Sequence, residues 1–205
     1  MPHLPQHPIL QESFALIDRE MGDHDFAPQE YAVLRRVIHS TADFEFVDLL
    51  HISPGAIACA IAALQSQCAI VVDVGMVRQG CQGMVARTFG NPLVTAVELA
   101  TVADPNKTRT ETGLLRAWDK HPEAIYVIGN APTALKALCD RVVNSHIQPA
   151  LIIGVPVGFV GVLEAKQQLA ALSTPQIRVE GRKGGSPVAA AILNALLVLA
   201  WEAQL

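Results

Sequence analysis

The sequence has no surplus of positive charge. It carries 15 Lys and Arg against 19 Asp and Glu, a net charge of −4, so there is no broad basic field to hold nucleic acid or an anionic membrane. Charge of either sign is sparse, at 17% of 205 residues, while hydrophobic residues make up 51%. That balance excludes a disordered chain and supplies core for a globular domain. Long hydrophobic runs are missing too: residues 188–201 are interrupted by Asn194 and fall short of the roughly 20 apolar residues a bilayer crossing needs. They read as a buried helix. Residues 1–11 hold three prolines and no basic lead into an apolar run, which argues against a secretory signal and sets the expectation of a cytoplasmic protein.

Several catalytic signatures are also absent. The four cysteines, Cys59, Cys68, Cys81 and Cys139, make no CxxC pair, and reduced, buried thiols are expected. Seven histidines form no HExxH or zinc-ligand spacing, and Pro2, Pro5 and Pro8 forbid the helix that would align His3 with His7. No protein-held metal is expected. No GxSxG marks a serine hydrolase, and Ser53 and Ser186 read as helix caps. Neither GxGxxG nor GxxxxGK followed by Ser or Thr is present, which places a nucleotide behind other ligands.

What is there is alternation. Tyr31, Val33, Leu34, Val37 and Ile38 stripe a helix over 28–39, and a second is expected from Ser53, with Pro54 in its first turn, toward Gln67. Valine-rich 69–77 reads as a buried strand. A strand over 94–101 follows, then a helix from Thr108 with Glu111 in the capping-box position, a strand over 126–129, a helix over 132–145 and a strand over 150–157. A helix over 161–172, a strand over 177–180 and a long helix capped by Ser186 complete the chain. Parallel strands need crossover helices, so the pattern predicts an α/β fold: an open, mostly parallel, doubly wound sheet with helices on both faces. A single domain is expected over 1–205, with a flexible proline-rich stretch at 1–10.

Ligands of such sheets bind beyond the carboxyl ends of the strands. The exits share a character: VDVGMVRQG from Val72, IGNAPTAL from Ile128, IGVPVGFVG from Ile153 and EGRKGGS from Glu180. Glycine lets the backbone approach a ligand, and each following helix directs free N–H groups at it, so an anionic ligand is expected. His39 ends the helix over 28–39, where the dipole favours the imidazolium and proton exchange near neutrality is accessible. Read alone, it fits a C-terminal cap as well as a catalyst. Arg36 shares its face. Lys107 and Arg109 stand at a helix start, where positive charge opposes the dipole by some tenths of a kcal/mol, a cost more easily understood if Arg109 grips an anion. Lys166, Arg182 and Lys183 complete the cations near the strand exits.

These segments resemble a known family over nearly the whole chain. SFALIDRE from Ser13, VIHS around His39, KTR ending at Arg109, IGNAPTAL from Ile128, GVPVGFVGVLEAK from Gly154 and GRKGGSPVAAAILNAL from Gly181 are similar to the precorrin-8X methylmutases, including their cobalt-precorrin-8 relatives. The resemblance implies an α/β homodimer and an isomerase of cobalamin biosynthesis that moves a methyl group from C-11 to C-12 of a contracted tetrapyrrole. The product would be hydrogenobyrinate or, with cobalt, cobyrinate. It further implies His39 as proton donor and acceptor, with Ser13, Arg36, Arg109, Asn130, Thr133 and Lys166 at the substrate. No cofactor is implied, and cobalt, where present, belongs to the substrate macrocycle. The partners are then the tetrapyrrole and a second copy of the chain, with no nucleic acid and no membrane. Two other readings remain open beside it: a nucleotide-dependent oxidoreductase on the same sheet, and a tetrapyrrole carrier that binds without turnover.

Overall fold

A computed structural model describes residues 7–204. Its sheet runs β1-β6-β5-β4-β2-β3, from β1 (Leu50–Ile52), β2 (Ile70–Val72), β3 (Leu93–Thr95), β4 (Ile125–Ile128), β5 (Leu151–Gly154) and β6 (Gln176–Val179). All neighbours pair in parallel except β1, which lies antiparallel on β6 with Leu50 opposite Val179. The chain leaves β2 outward to β3 and then crosses back to β4, so winding reverses between β2 and β4. That reversal opens the crevice in which doubly wound sheets hold ligands.

Strand side chains alternate between two apolar layers, as a pleat buried on both faces requires. Ile125 and Val127 of β4 join the core beneath α2 (Pro28–Thr41), α4 (Ala56–Gln65), α5 (Gly75–Arg87) and α9 (Ser186–Glu202). Tyr126 and Ile128 point the other way, under α6 (Arg109–Trp118), α7 (Pro132–Val143) and α8 (Val162–Ala170). The expected sheet with helices on both faces is what forms. The apolar run after residue 187 becomes α9, which lies against α2, α4 and α5 and is buried along most of its length.

Several element boundaries differ from the sequence expectation. The strand expected over 69–77 ends at Val72, and Gly75 begins α5. The strand expected over 94–101 ends at Thr95, and Ala96–Leu99 coils into a single 3₁₀ turn on which α6 packs. Ser53 does not cap α4; its Oγ accepts from the Gln176 N–H at 2.9 Å, and left-handed Gly55 precedes the helix. Ser186 is the first residue of α9 rather than its cap, a place held by Gly185. The Thr108 cap does form: its Oγ1 accepts from the Glu111 N–H at 3.1 Å. Residues 1–6 of the expected flexible stretch lie outside the described residues, whereas Pro8 already starts α1 (Pro8–Met21), whose first turn is capped by His7 Nδ1. Cys81 and Cys139 are buried as expected, but Cys59 is exposed on α4. No helix among the described residues is long and apolar enough to cross a membrane.

Candidate active site

His39 occupies the last turn of α2. That turn is tied down by its own side chains: the hydroxyls of Ser40 and Thr41 each donate to the Val37 carbonyl at 2.9 Å, and left-handed Ala42 ends the helix. The imidazole is exposed and makes no hydrogen bond among the described residues; its one ring contact is with Phe14 of α1, edge to face, at 5.5 Å between centroids. Phe14 is held in turn by the Arg35 guanidinium, 4.4 Å over its ring. Arg35 and Tyr31 of α2 both bond the Asp18 carboxylate of α1, at 3.0 and 2.6 Å, so α1, which has no fully buried residue, is docked by polar and aromatic contacts.

A cavity of about 270 Å³ opens beside His39, lined by Arg36, Ser40, Gly80, Pro187, Ala190, Ala191 and Asn194. Its far wall depends on a missing side chain: a Cβ on Gly80 would stand 2.7 Å from the Ala190 Cβ, so only glycine lets α5 approach α9 this closely. Asn194 fastens the approach by donating to the Gly80 carbonyl at 2.9 Å, which explains the polar residue inside an otherwise apolar helix. Arg36 makes no hydrogen bond or ion pair among the described residues. Burial, helped by the charge of Arg87, pushes its pKa down. A half-buried, unpaired guanidinium is poised for a carboxylate.

The other expected site residues lie elsewhere. Ser13 sits on α1 next to Phe14 and back-bonds to the Ile9 carbonyl at 2.8 Å. Arg109 begins α6, on the opposite layer from His39. It donates through Nε to the Ala100 carbonyl at 3.1 Å and through Nη2 to the Val97 carbonyl at 3.3 Å, so two of its nitrogens pin the 3₁₀ turn. Nη1 has no protein partner among the described residues. Thr133 is exposed and shares a hydrogen bond with the Thr108 hydroxyl at 2.9 Å, and Asn130 is exposed on the β4 exit. Lys166, expected at the substrate, is instead 1% exposed, and its ammonium donates to the carbonyls of Gly181 and Lys183 at 2.8 and 2.7 Å. Burial pushes its pKa down to about 8.

At the exit of β4 the chain supplies an acceptor of its own. Asp73, fully buried at the end of β2, accepts from the N–H groups of Val74 at 2.9 Å, Asn130 at 2.6 Å and Ala131 at 2.9 Å. The carboxylate thus takes the position at the start of α7 that a ligand's negative group takes in other doubly wound sheets. Phe14 and Asp73 are the contacts that residue-by-residue reading missed. Leu10, Phe14, Ile17 and Met21 already carry a helical stripe in the sequence, directly after Pro2, Pro5 and Pro8. Among the described residues no cluster of His, Cys, Asp and Glu is placed to hold a metal ion.

Comparison with known proteins converges on one family. A family model for precorrin-8X methylmutase matches residues 8–199. A cobalt-precorrin-8 methylmutase from Synechocystis sp. is 60% identical, over 96% of this chain and 97% of the relative. A precorrin-8X methylmutase from Pseudomonas aeruginosa is 40% identical, over 92% of this chain and 93% of its own. The crystal structure of a precorrin-8x methyl mutase from Thermus thermophilus superposes with a TM-score of 0.87 at 41% identity, covering 97% of this chain and all of the other. The chain belongs to the precorrin-8X methylmutase family, isomerases of cobalamin biosynthesis.

Proposed function

We propose that this protein moves a methyl group from C-11 to C-12 of cobalt-precorrin-8, or of metal-free precorrin-8X, with His39 as proton donor and acceptor. The observation that carries the reading is the pairing, in one cavity, of an exposed imidazole with the unpartnered guanidinium of Arg36. Proton transfer to the conjugated ring makes it more electron-poor. The bond from methyl to C-11 then breaks as the bond to C-12 forms, and the proton returns to His39; no net electron change occurs. One placed proton supplies on the order of 10² to 10⁴ in rate, and binding the ring in a shape close to the migration transition state supplies the rest.

The substrate's carboxylates suit Arg36 and the free nitrogen of Arg109. Its apolar ring suits the wall of Pro187, Ala190 and Ala191. A tetrapyrrole exceeds the cavity beside His39 and would extend toward a second, of about 230 Å³, lined by Thr41, Asp43, Phe46, Val157, Lys183 and Gly184. A cytoplasmic homodimer, with cobalt held only by the substrate, belongs to the same reading. The 60% identity to a relative named for the cobalt substrate favours that form.

The test is an absorbance time course of the protein with cobalt-precorrin-8 and, separately, with precorrin-8X. Conversion of one or both supports the assignment, and binding without conversion points to a carrier. A His39→Ala protein that folds, binds and turns over at the wild-type rate would remove the histidine from the mechanism.

A further inference from the structure

The segment between β6 and α9, residues 180–185, forms part of one of the two cavities at the end of α2, through Lys183 and Gly184, and leads directly into α9, whose Pro187 lines the other. It has little regular structure of its own, yet it is fastened on every side. From below, the Lys166 ammonium of α8 donates to the carbonyls of Gly181 and Lys183 at 2.8 and 2.7 Å. From the residue that follows β5, the Val155 carbonyl accepts from the Gly185 N–H at 2.8 Å. Gly184 sits at φ +142 with the space for its Cβ already filled by that same carbonyl, 2.2 Å away, so the segment has one way to lie. From above, the Lys183 ammonium reaches Asp43 at 2.5 Å and Glu45 at 2.7 Å, in the turn that directly follows the α2 helix carrying His39.

We propose that Lys166 is a positioning residue of the active site: it clamps the β6–α9 segment, and through Lys183 and its two carboxylate partners that segment fixes the end of α2 and hence the place of His39. The clamp touches no substrate. It rests on the reading of His39 given above only for its effect on turnover; its effect on the segment stands apart. A lysine 1% exposed, with both hydrogen bonds made to main-chain carbonyls of one loop, is arranged to hold backbone and not to meet a ligand's carboxylate. Methionine in its place keeps the apolar stem, one atom shorter, and removes every donor, leaving two carbonyls without their partner.

Two measurements test this on the full-length protein. The first is limited trypsin digestion under native conditions, read at the Arg182 and Lys183 bonds. Lys166→Met should accelerate cleavage there at least about fivefold, because the segment opens locally. Lys166→Gln, whose amide retains two N–H donors, should restore much of the resistance. The second is steady-state turnover of the substrate that the wild type converts. Lys166→Met should lower kcat on the order of 10- to 100-fold with KM nearly unchanged, the cost of a misplaced acid and base, and Lys166→Gln should recover part of it. Unchanged cleavage with a rise in KM alone would overturn the proposal and make Lys166 a substrate contact. Faster cleavage with unaltered kcat would overturn it as well, leaving a loop anchor with no bearing on His39. Should Lys166→Met fail to fold, Lys166→Gln carries the same two readouts and Lys183→Met carries turnover with cleavage at the Arg182 bond alone: Lys183→Met should leave the clamp closed and still lower kcat, and full activity in it would refute the link to α2. If the wild type converts neither tetrapyrrole, the functional reading fails while the digestion still decides whether the clamp exists.

Discussion

Replacing Asp73 tests how the fold closes its own switch point. The carboxylate is fully buried and serves three main-chain donors, Val74 on one oxygen and Asn130 and Ala131 on the other. Asp73→Ala leaves three N–H groups without their acceptor, that of Ala131 buried and those of Val74 and Asn130 partly so. Each hydrogen bond to a charged group is worth about 1.5–3 kcal/mol, and each orphaned donor costs about 1–3. Relief of the carboxylate's own desolvation offsets part of the sum, so the net loss should be about 3–5 kcal/mol, a large share of the roughly 5–15 kcal/mol that holds a domain of ordinary stability. Asp73→Asn should cost less, about 1–3 kcal/mol: its carbonyl oxygen retains the Asn130 and Ala131 donors, while its amide faces the Val74 N–H, donor to donor. Urea unfolding followed by the fluorescence of buried Trp118 measures both variants, and an unchanged slope would show that the difference lies in stability alone. An alanine variant within about 1 kcal/mol of wild type would refute the reasoning. So would an asparagine variant as unstable as the alanine one.

Three further outcomes are expected. Gly184→Ala places a methyl group 2.2 Å from the Val155 carbonyl at a φ that L residues avoid, and should cost roughly 2–4 kcal/mol by urea unfolding; a neutral result would show that the segment relaxes freely. Phe14→Ala removes the aromatic contact to His39 and the stacking partner of Arg35, so it should lower stability by about 1 kcal/mol and kcat by about tenfold, with Phe14→Leu intermediate in turnover measurements. Lys166 carries a folded-state pKa pushed by burial to about 8, below its value in the unfolded chain. Between about pH 8 and 10 the unfolded chain therefore binds the extra proton, and stability from this group should rise with pH across that window. The neutral amine still has two N–H donors for its two carbonyls, so the clamp should persist. A wild-type urea midpoint that shows no rise relative to Lys166→Met from pH 8 to 10 would contradict this.

The order of elements was legible because apolar periodicity is local. Short runs rich in valine and isoleucine became β2, β4, β5 and β6, and the stripe of Val33, Leu34, Val37 and Ile38 became the buried face of α2. Family, too, could be read from the motifs, since His39, Arg36 and the glycine-rich exits are written in order along the chain. Ends of elements were less legible: β2 stops at Val72 because Asp73 turns its carboxylate to the β4 exit, a partner more than fifty residues away. For the same reason Ser53 reads as a cap and is not, its hydroxyl being taken by the Gln176 N–H, while Ser186 stands one residue past the cap, inside α9.

The sequence by itself thus determined an α/β sheet, a histidine at a helix end and membership of a methylmutase family, because each rests on residue type and near spacing. Tertiary structure alone decided which charges are available. Arg36 is unpaired and half-buried beside His39, Arg109 gives two of its three nitrogens to main-chain carbonyls, and Lys166 is turned inward to hold a loop. A cation's role depends on the acceptors within about 3 Å of it, and in this fold those acceptors come from distant parts of the chain.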